Sequence, residues 1–242
     1  MAAPRGVTPK RGVREFGIFK QRTLKFVVAG TLGFWVGVVS LGASAVEPPG
    51  QVITVQAATS RSEVAVVRTW RLQSDGTYSQ VIGPFVAYLG VHGVGETREG
   101  LDRTPAGVFT LTQAFGNEPN NGTRLAYFRA GPDDWWDENP HSAQYNRRVI
   151  SSVSPGGDSE NLFYAGNAYA HAVVINYNTD PVVKGAGSGF FLHVSFGAPT
   201  KGCVAISAKD LNLVMRWLRP SLHPVISIGV GTVARAIVLA SS

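Results

Sequence analysis

The chain has 242 residues, 44% of them hydrophobic and 10% aromatic, with a formal charge of +6; this excludes a disordered or low-complexity protein. Seven of its 22 Lys and Arg (Arg5, Lys10, Arg11, Arg14, Lys20, Arg22, Lys25) and one of its 16 acids, Glu15, fall in residues 1–25. That leaves 15 of each sign in the other 217, a neutral body without the broad basic footprint of a nucleic-acid binder.

In chain order, the basic start is followed by the uncharged run Phe26 to Val46, which ends in Ala43-Ser44-Ala45. A basic region, an apolar run and a small-residue end predict a secretory signal over 1–45. A retained membrane anchor is the alternative, since 21 uncharged residues approach the ~20 that span a bilayer. Either way the body is expected to be exported, to a cell wall or periplasmic space, because the positive flank stays inside. Residues 46–60, with their Pro-Pro-Gly start, read as a linker.

From Glu63 onward the pattern is one of strands. EVAVVRTW, QVIGPFVAYLG, AGVFTLTQAF, TRLAYFRA, HAVVINYN, GFFLHVS and GCVAIS are short, rich in β-branched or aromatic residues, and bounded by turn formers. They predict a mainly β domain of sandwich or barrel type. One helix interrupts them. Ser207-Ala208-Lys209-Asp210 resembles a capping box, and Leu211, Val214, Met215 and Leu218 form an apolar stripe. Pro220 ends that helix, PVISIG reads as a last strand, and 233–242 as a tail. Between strands, residues 131–168 combine Trp135, Trp136 and clustered acids in a stretch expected to be a long ordered loop or insertion.

Cys203 is the only cysteine. In an exported chain a lone cysteine is either a buried small hydrophobe or a reactive thiol, and number alone leaves both open. Pro199-Thr200-Lys201-Gly202 before it reads as a turn, which places the thiol at the mouth of a strand. A glycine there allows close backbone approach and helps aim an N–H at an oxyanion. A thiol with a pKa of about 8.5 needs a base or a positive field to react at neutral pH. Lys201 and a histidine are the available sources. Of five histidines, His193 ends the apolar run GFFLHVS ten positions before Cys203, where a turn would bring the two together.

His193 followed by Thr200-Lys201-Gly202-Cys203-Val204 resembles the signature of the L,D-transpeptidase (YkuD-like) catalytic domain. Arg103-Thr104-Pro105-Ala106-Gly107-Val108-Phe109 is similar to the family's Thr-Pro-x-Gly segment, and Ala172-Val173-Val174-Ile175-Asn176-Tyr177 to the strand before its histidine. The wording from Thr104 to Gly229 looks like exported actinobacterial-type members. Lys201 stands where the family often has His, and Ala205 where it often has Arg or Asn. The resemblance implies a β-sandwich or barrel catalytic domain over 61–232, with Cys203 as nucleophile and His193 as base. It also implies Gly202, Thr200 and Lys201 at the substrate or oxyanion, and no metal or organic cofactor. The expected reaction opens a peptidoglycan stem at the L-centre of its diamino acid, releases D-Ala and forms a thioester. An amine then resolves the thioester into a cross-link, or water does so in an L,D-carboxypeptidase.

Three other readings compete. A zinc site from His171, His193 and Cys203 lacks close paired ligand spacing. A glycosidase built on Asp133, Asp134, Asp137 and Glu138 would need carboxylates on opposed elements; clustered acids in one loop are more often a solvated face, and this loop reads as a rim for contact with the wall polymer. A non-enzymatic wall-binding module would carry Cys203 as an inert thiol.

Overall fold

The computed structural model describes residues 47–239. The leader or anchor expected over 1–45 lies outside the described residues, among which no helix is long and apolar enough to cross a membrane.

The chain opens with three long strands, β1 (Gln51–Ala57), β2 (Val64–Leu72) and β3 (Tyr78–Tyr88). Short strands follow: β4 (Val94–Gly95), β5 (Thr104–Pro105), β6 (Gly107–Thr110), β7 (Gln113–Gly116) and β8 (Ala126–Arg129). An inserted trio comes next, β9 (Asp134–Asp137), β10 (Arg147–Ile150) and β11 (Glu160–Asn161). After it come β12 (Ala172–Val174), β13 (Phe191–Val194), β14 (Val204–Ile206), helix α1 (Ala208–Trp217), β15 (Val225–Val230) and the short helix α2 (Ala236–Leu239). Ten of the strands form one sheet in the order β6-β15-β1-β2-β3-β14-β13-β12-β7-β8. The mainly β class with few helices therefore stands.

Two segments differ from the expectation. The stretch read as a linker over 46–60 contains β1, which lies inside the sheet between β15 and β2. Its alternating VITVQA buries both faces: Ile53, Val55 and Ala57 enter the main core, and Val52 meets Val225 and Val238. A Pro-Pro-Gly start says where a strand cannot yet begin, and nothing about the residues after it. Val238 comes from the predicted tail. Residues Gly231–Arg235 form a 3-10 helix that runs into α2, and Ala234 and Val238 are buried there.

The main core lies on the sheet face that carries Val67, Leu192, Val204 and Ile226. α1 closes that face with Leu211, Val214, Met215 and Leu218, as its stripe requires. Ser207 caps α1: its Oγ accepts from Asp210 N at 3.1 Å and donates to Asp210 Oδ2 at 2.7 Å.

On the opposite face a second cluster forms around Phe191. Its ring meets Phe115, Trp136 and Tyr169 edge-on, with centroids 5.0, 5.1 and 5.5 Å away, each contact adding ~0.5–1.5 kcal/mol beyond area burial. Trp136 belongs to the region read as a long loop or insertion, which forms the separate sheet β10-β9-β11. Asp134 and Asp137 are buried in it, not solvated. Arg148 Nη2 pairs with Asp134 Oδ1 at 2.6 Å, and Ser142 Oγ donates to Asp137 Oδ2 at 2.5 Å. Their carboxylates brace the insertion, which in turn supports Phe191.

Candidate active site

β13 and β14 run parallel, in the register Leu192↔Val204, His193↔Ala205 and Val194↔Ile206. Strand alternation sends Leu192 and Val194 into the main core and Phe191 and His193 to the other face. Cys203, just before β14, packs with Phe191 on that same face. His193 and Cys203 therefore share one face of two adjacent strands. They are not joined by a hairpin, as a simple turn would imply. The connecting loop instead crosses beneath Gly90 and Val91, where Thr200 N donates to Leu89 O at 2.8 Å and Val91 N to Thr200 O at 2.9 Å. The Thr104-Pro105 segment secures this crossing: Gly90 N donates to the buried Thr104 Oγ1 at 2.8 Å.

Cys203, His193, Thr200 and Lys201 all line one cleft of about 710 Å³, with Ala205, Tyr169 and Glu160. Val91, Tyr164 and Phe196 form its exposed apolar rim. Ala205 sits in register with His193, so the small side chain leaves room where a longer one would fill the floor. Gly202 does not line the cleft. It is buried at φ +136, where an added Cβ would lie 2.6 Å from the Phe190 ring, so its close approach is to protein. Its N–H donates to Thr200 Oγ1 at 3.0 Å, and Thr200 Oγ1 donates to Cys203 O at 2.7 Å. Thr200 is thus the brace of the cysteine turn.

The Cys203 thiol donates to Gly189 O at 3.3 Å and accepts from Phe191 N at 3.3 Å. Burial raises its pKa well above the ordinary thiol value, and the Glu160 charge adds to the effect. His193 Nδ1 lies 2.9 Å from Val194 O. A carbonyl can only accept, so Nδ1 carries the proton and the lone pair of the neutral ring is on Nε2. Burial lowers the His193 pKa, opposed by the carbonyls of Val194 and Ala168. The resting pair is a neutral thiol and a neutral imidazole. The Tyr169 ring meets His193 edge-on at 5.5 Å and its hydroxyl donates to Glu160.

The remaining four histidines are elsewhere: His171 Nε2 meets Pro119 O at 2.9 Å, His92 Nδ1 meets Leu101 O at 3.0 Å, and His141 and His223 are exposed. Sequence reasoning missed Glu160 and Tyr169. Neither sits in a periodic pattern, and only the fold carries the β11 loop back to Cys203. Glu138 drew notice only as one of the clustered acids.

Residues 52–232 match the family model of the L,D-transpeptidase catalytic domain (YkuD). Searches of curated proteins and of solved structures return no match. The match spans most of the chain and begins within β1, and the chain belongs to this family, whose members act on peptidoglycan peptide stems.

Proposed function

We propose that this domain cross-links peptidoglycan stems through a thioester on Cys203, with His193 as general base. The observation that supports the reading is the pairing of Cys203 and His193 on one face of adjacent parallel strands, at the wall of the 710 Å³ cleft. Substrate draws Sγ away from Gly189 O, and its proton passes to His193 Nε2. Sulfur attacks the carbonyl carbon at the L-centre of the diamino acid. The C–N bond to D-Ala breaks, and His193 returns the proton to the departing amine. An amine of a second stem then attacks the thioester, a C–N bond forms, and the C–S electrons return to sulfur with a proton relayed by His193. Gly202 N–H is committed to Thr200, so the Cys203 N–H is the oxyanion donor in this reading. Lys201 and Thr200 edge the cleft as substrate contacts. The basic and apolar leader supports action outside the cytoplasm, in the cell wall or periplasmic space.

The raised thiol pKa and the Cys203–Gly189 hydrogen bond favour a second reading, a wall-binding module with an inert thiol. One experiment separates them. The full chain is incubated with a carbapenem, an acylating mimic of the stem, and with tetrapeptide stems, followed by intact mass and muropeptide analysis. An adduct on Cys203 and released D-Ala are expected, both absent in Cys203→Ala. A wild-type chain that forms neither product sinks the enzyme reading, and free tripeptide without cross-links marks a carboxypeptidase.

A further inference from the structure

The inserted sheet β10-β9-β11 borders a cavity on each side. Glu160 and Asn161 of β11 line the cleft of Cys203, whereas Arg147 and Arg148 of β10 line a separate cavity of about 430 Å³. β9 pairs with both edge strands, so the two edges stand two strand spacings apart, about 10 Å. The second cavity lies on the sheet face that carries Phe191. Val174 and Trp136 belong to the Phe191 cluster, Gln113 shares its strand face with Phe115, and Ala126 is in register with Gln113.

The polar groups around this cavity divide into two sets. Arg148 is committed, with Nε and Nη2 each 2.6 Å from Asp134 Oδ1 and the guanidinium 3.8 Å over the Phe128 ring. Asn146 is committed too: Oδ1 accepts from Trp136 Nε1 at 2.9 Å, and Nδ2 donates to Tyr177 O and Asn178 O at 3.1 and 2.7 Å. The other set is open. The side chains of Gln113, Arg147 and Thr179 have no hydrogen-bond partner among the described residues. Asn176 Nδ2 donates to Thr110 Oγ1 and Thr112 Oγ1 at 2.9 and 2.8 Å, which fixes its amide and leaves Oδ1 an open acceptor.

This open set selects a chemistry. No carboxylate lines the cavity, so a cation finds no counter-charge there. An anion would satisfy Arg147 but would meet the fixed Asn176 Oδ1 as a repelling dipole. A sugar bearing an acetamido group offers the complement. Its N–H suits the Asn176 acceptor, its carbonyl and hydroxyls suit Gln113 and Arg147, and its methyl suits the Val174 and Ala126 floor.

We propose that this cavity, across the insertion from Cys203, binds an N-acetylated sugar of a glycan strand. The sugar site stands on the cavity alone; that the glycan is the one carrying the peptide stems rests on the transpeptidase reading. In that reading three residues of extended stem span about 10 Å, the width of the insertion.

The full chain tests the site without turnover. Chitotriose, a trimer of N-acetylglucosamine, is titrated by calorimetry against cellotriose, which has hydroxyls in place of the acetamido groups. Chitotriose is expected to bind at least about tenfold more tightly. Gln113→Ala and Arg147→Ala each remove a side chain that makes no hydrogen bond within the protein. Each should weaken chitotriose binding about tenfold while thermal melts stay unchanged. Chitotriose that fails to bind, binds no better than cellotriose, binds both variants as it binds wild type, or is displaced by a tetrapeptide stem overturns the proposal.

A second measurement identifies the source. A free tetrapeptide and the same stem on its N-acetylated disaccharide are compared as donors in single-turnover thioester formation. The sugar-bearing donor is expected to half-saturate at about tenfold lower concentration with the same limiting rate, and Gln113→Ala to remove the difference. Equal half-saturation overturns the assignment to the stem-bearing glycan. A chain that binds chitotriose but is inert to both donors counts against the transpeptidase reading and upholds the sugar site.

Discussion

Cys203 and His193 share one wall of the cleft yet direct their polar atoms to different backbone carbonyls. Sγ donates to Gly189 O at 3.3 Å and Nδ1 to Val194 O at 2.9 Å. The resting state is therefore uncharged, and in the proposed mechanism the thiol must leave its backbone acceptor. Hydrogen bonds of catalytic pairs are often unformed before substrate binds.

His193 is the first target. In the proposed mechanism Nε2 takes the thiol proton, so His193→Ala is expected to slow thioester formation by about 10²–10⁴. Single-turnover mass spectrometry on a tetrapeptide stem reads the rate, and circular dichroism checks that the variant is folded. An unchanged rate would remove His193 from the mechanism.

The pH dependence follows from two opposed shifts. Burial lowers His193 below 6.5, so kcat/KM should rise with pH through a value under 6.5 and then stay level through neutrality. Burial and Glu160 raise Cys203 above 9.0, so iodoacetamide in the absence of substrate should react appreciably only above that pH. A free thiol that alkylates fully at pH 7 contradicts this resting state.

Thr200→Val should lower both stability and rate. It removes the acceptor of Gly202 N–H and the donor to Cys203 O, stranding a buried amide at a cost of about 1–3 kcal/mol. Thr200→Ser restores both bonds and should restore both properties. Thermal melts and D-Ala release from the same preparations check the pair.

Glu138 makes stability fall as pH rises. Its folded-state pKa of about 9 exceeds the ordinary 4.5, so the folded chain holds a proton that the unfolded chain releases. Its contribution is complete below pH 4.5 and is lost as pH climbs toward 9. Glu138→Gln should therefore gain Tm over wild type progressively across that window, by about 2–4 °C for each kcal/mol. Parallel melts from pH 5 to 9 decide it, and a constant difference would refute the buried-charge account.

Much of the site was legible because its signals are local. Gly202 and Cys203 follow a turn, His193 ends an apolar run, and α1 announces itself by Ser207 and a four-residue stripe. β1 was misread because the Pro-Pro-Gly before it dominates a short window, while its burial comes from β2 and β15, residues far along the chain. The acids of the insertion were misread for a similar reason. Asp134 and Asp137 become structural only once Arg148 and Ser142 are folded against them.

By itself the sequence determined the β class, the helix, the cysteine, a histidine ten positions before it and the family pattern, since periodicity, caps and motif spacing act over a few residues. Tertiary structure alone decided the parallel pairing of β13 with β14, the resting hydrogen bonds of the thiol, and the arrival of Glu138 and Glu160 beside Cys203. Those depend on long-range strand register and on the desolvation that burial imposes, and neither is encoded within any one segment of the chain.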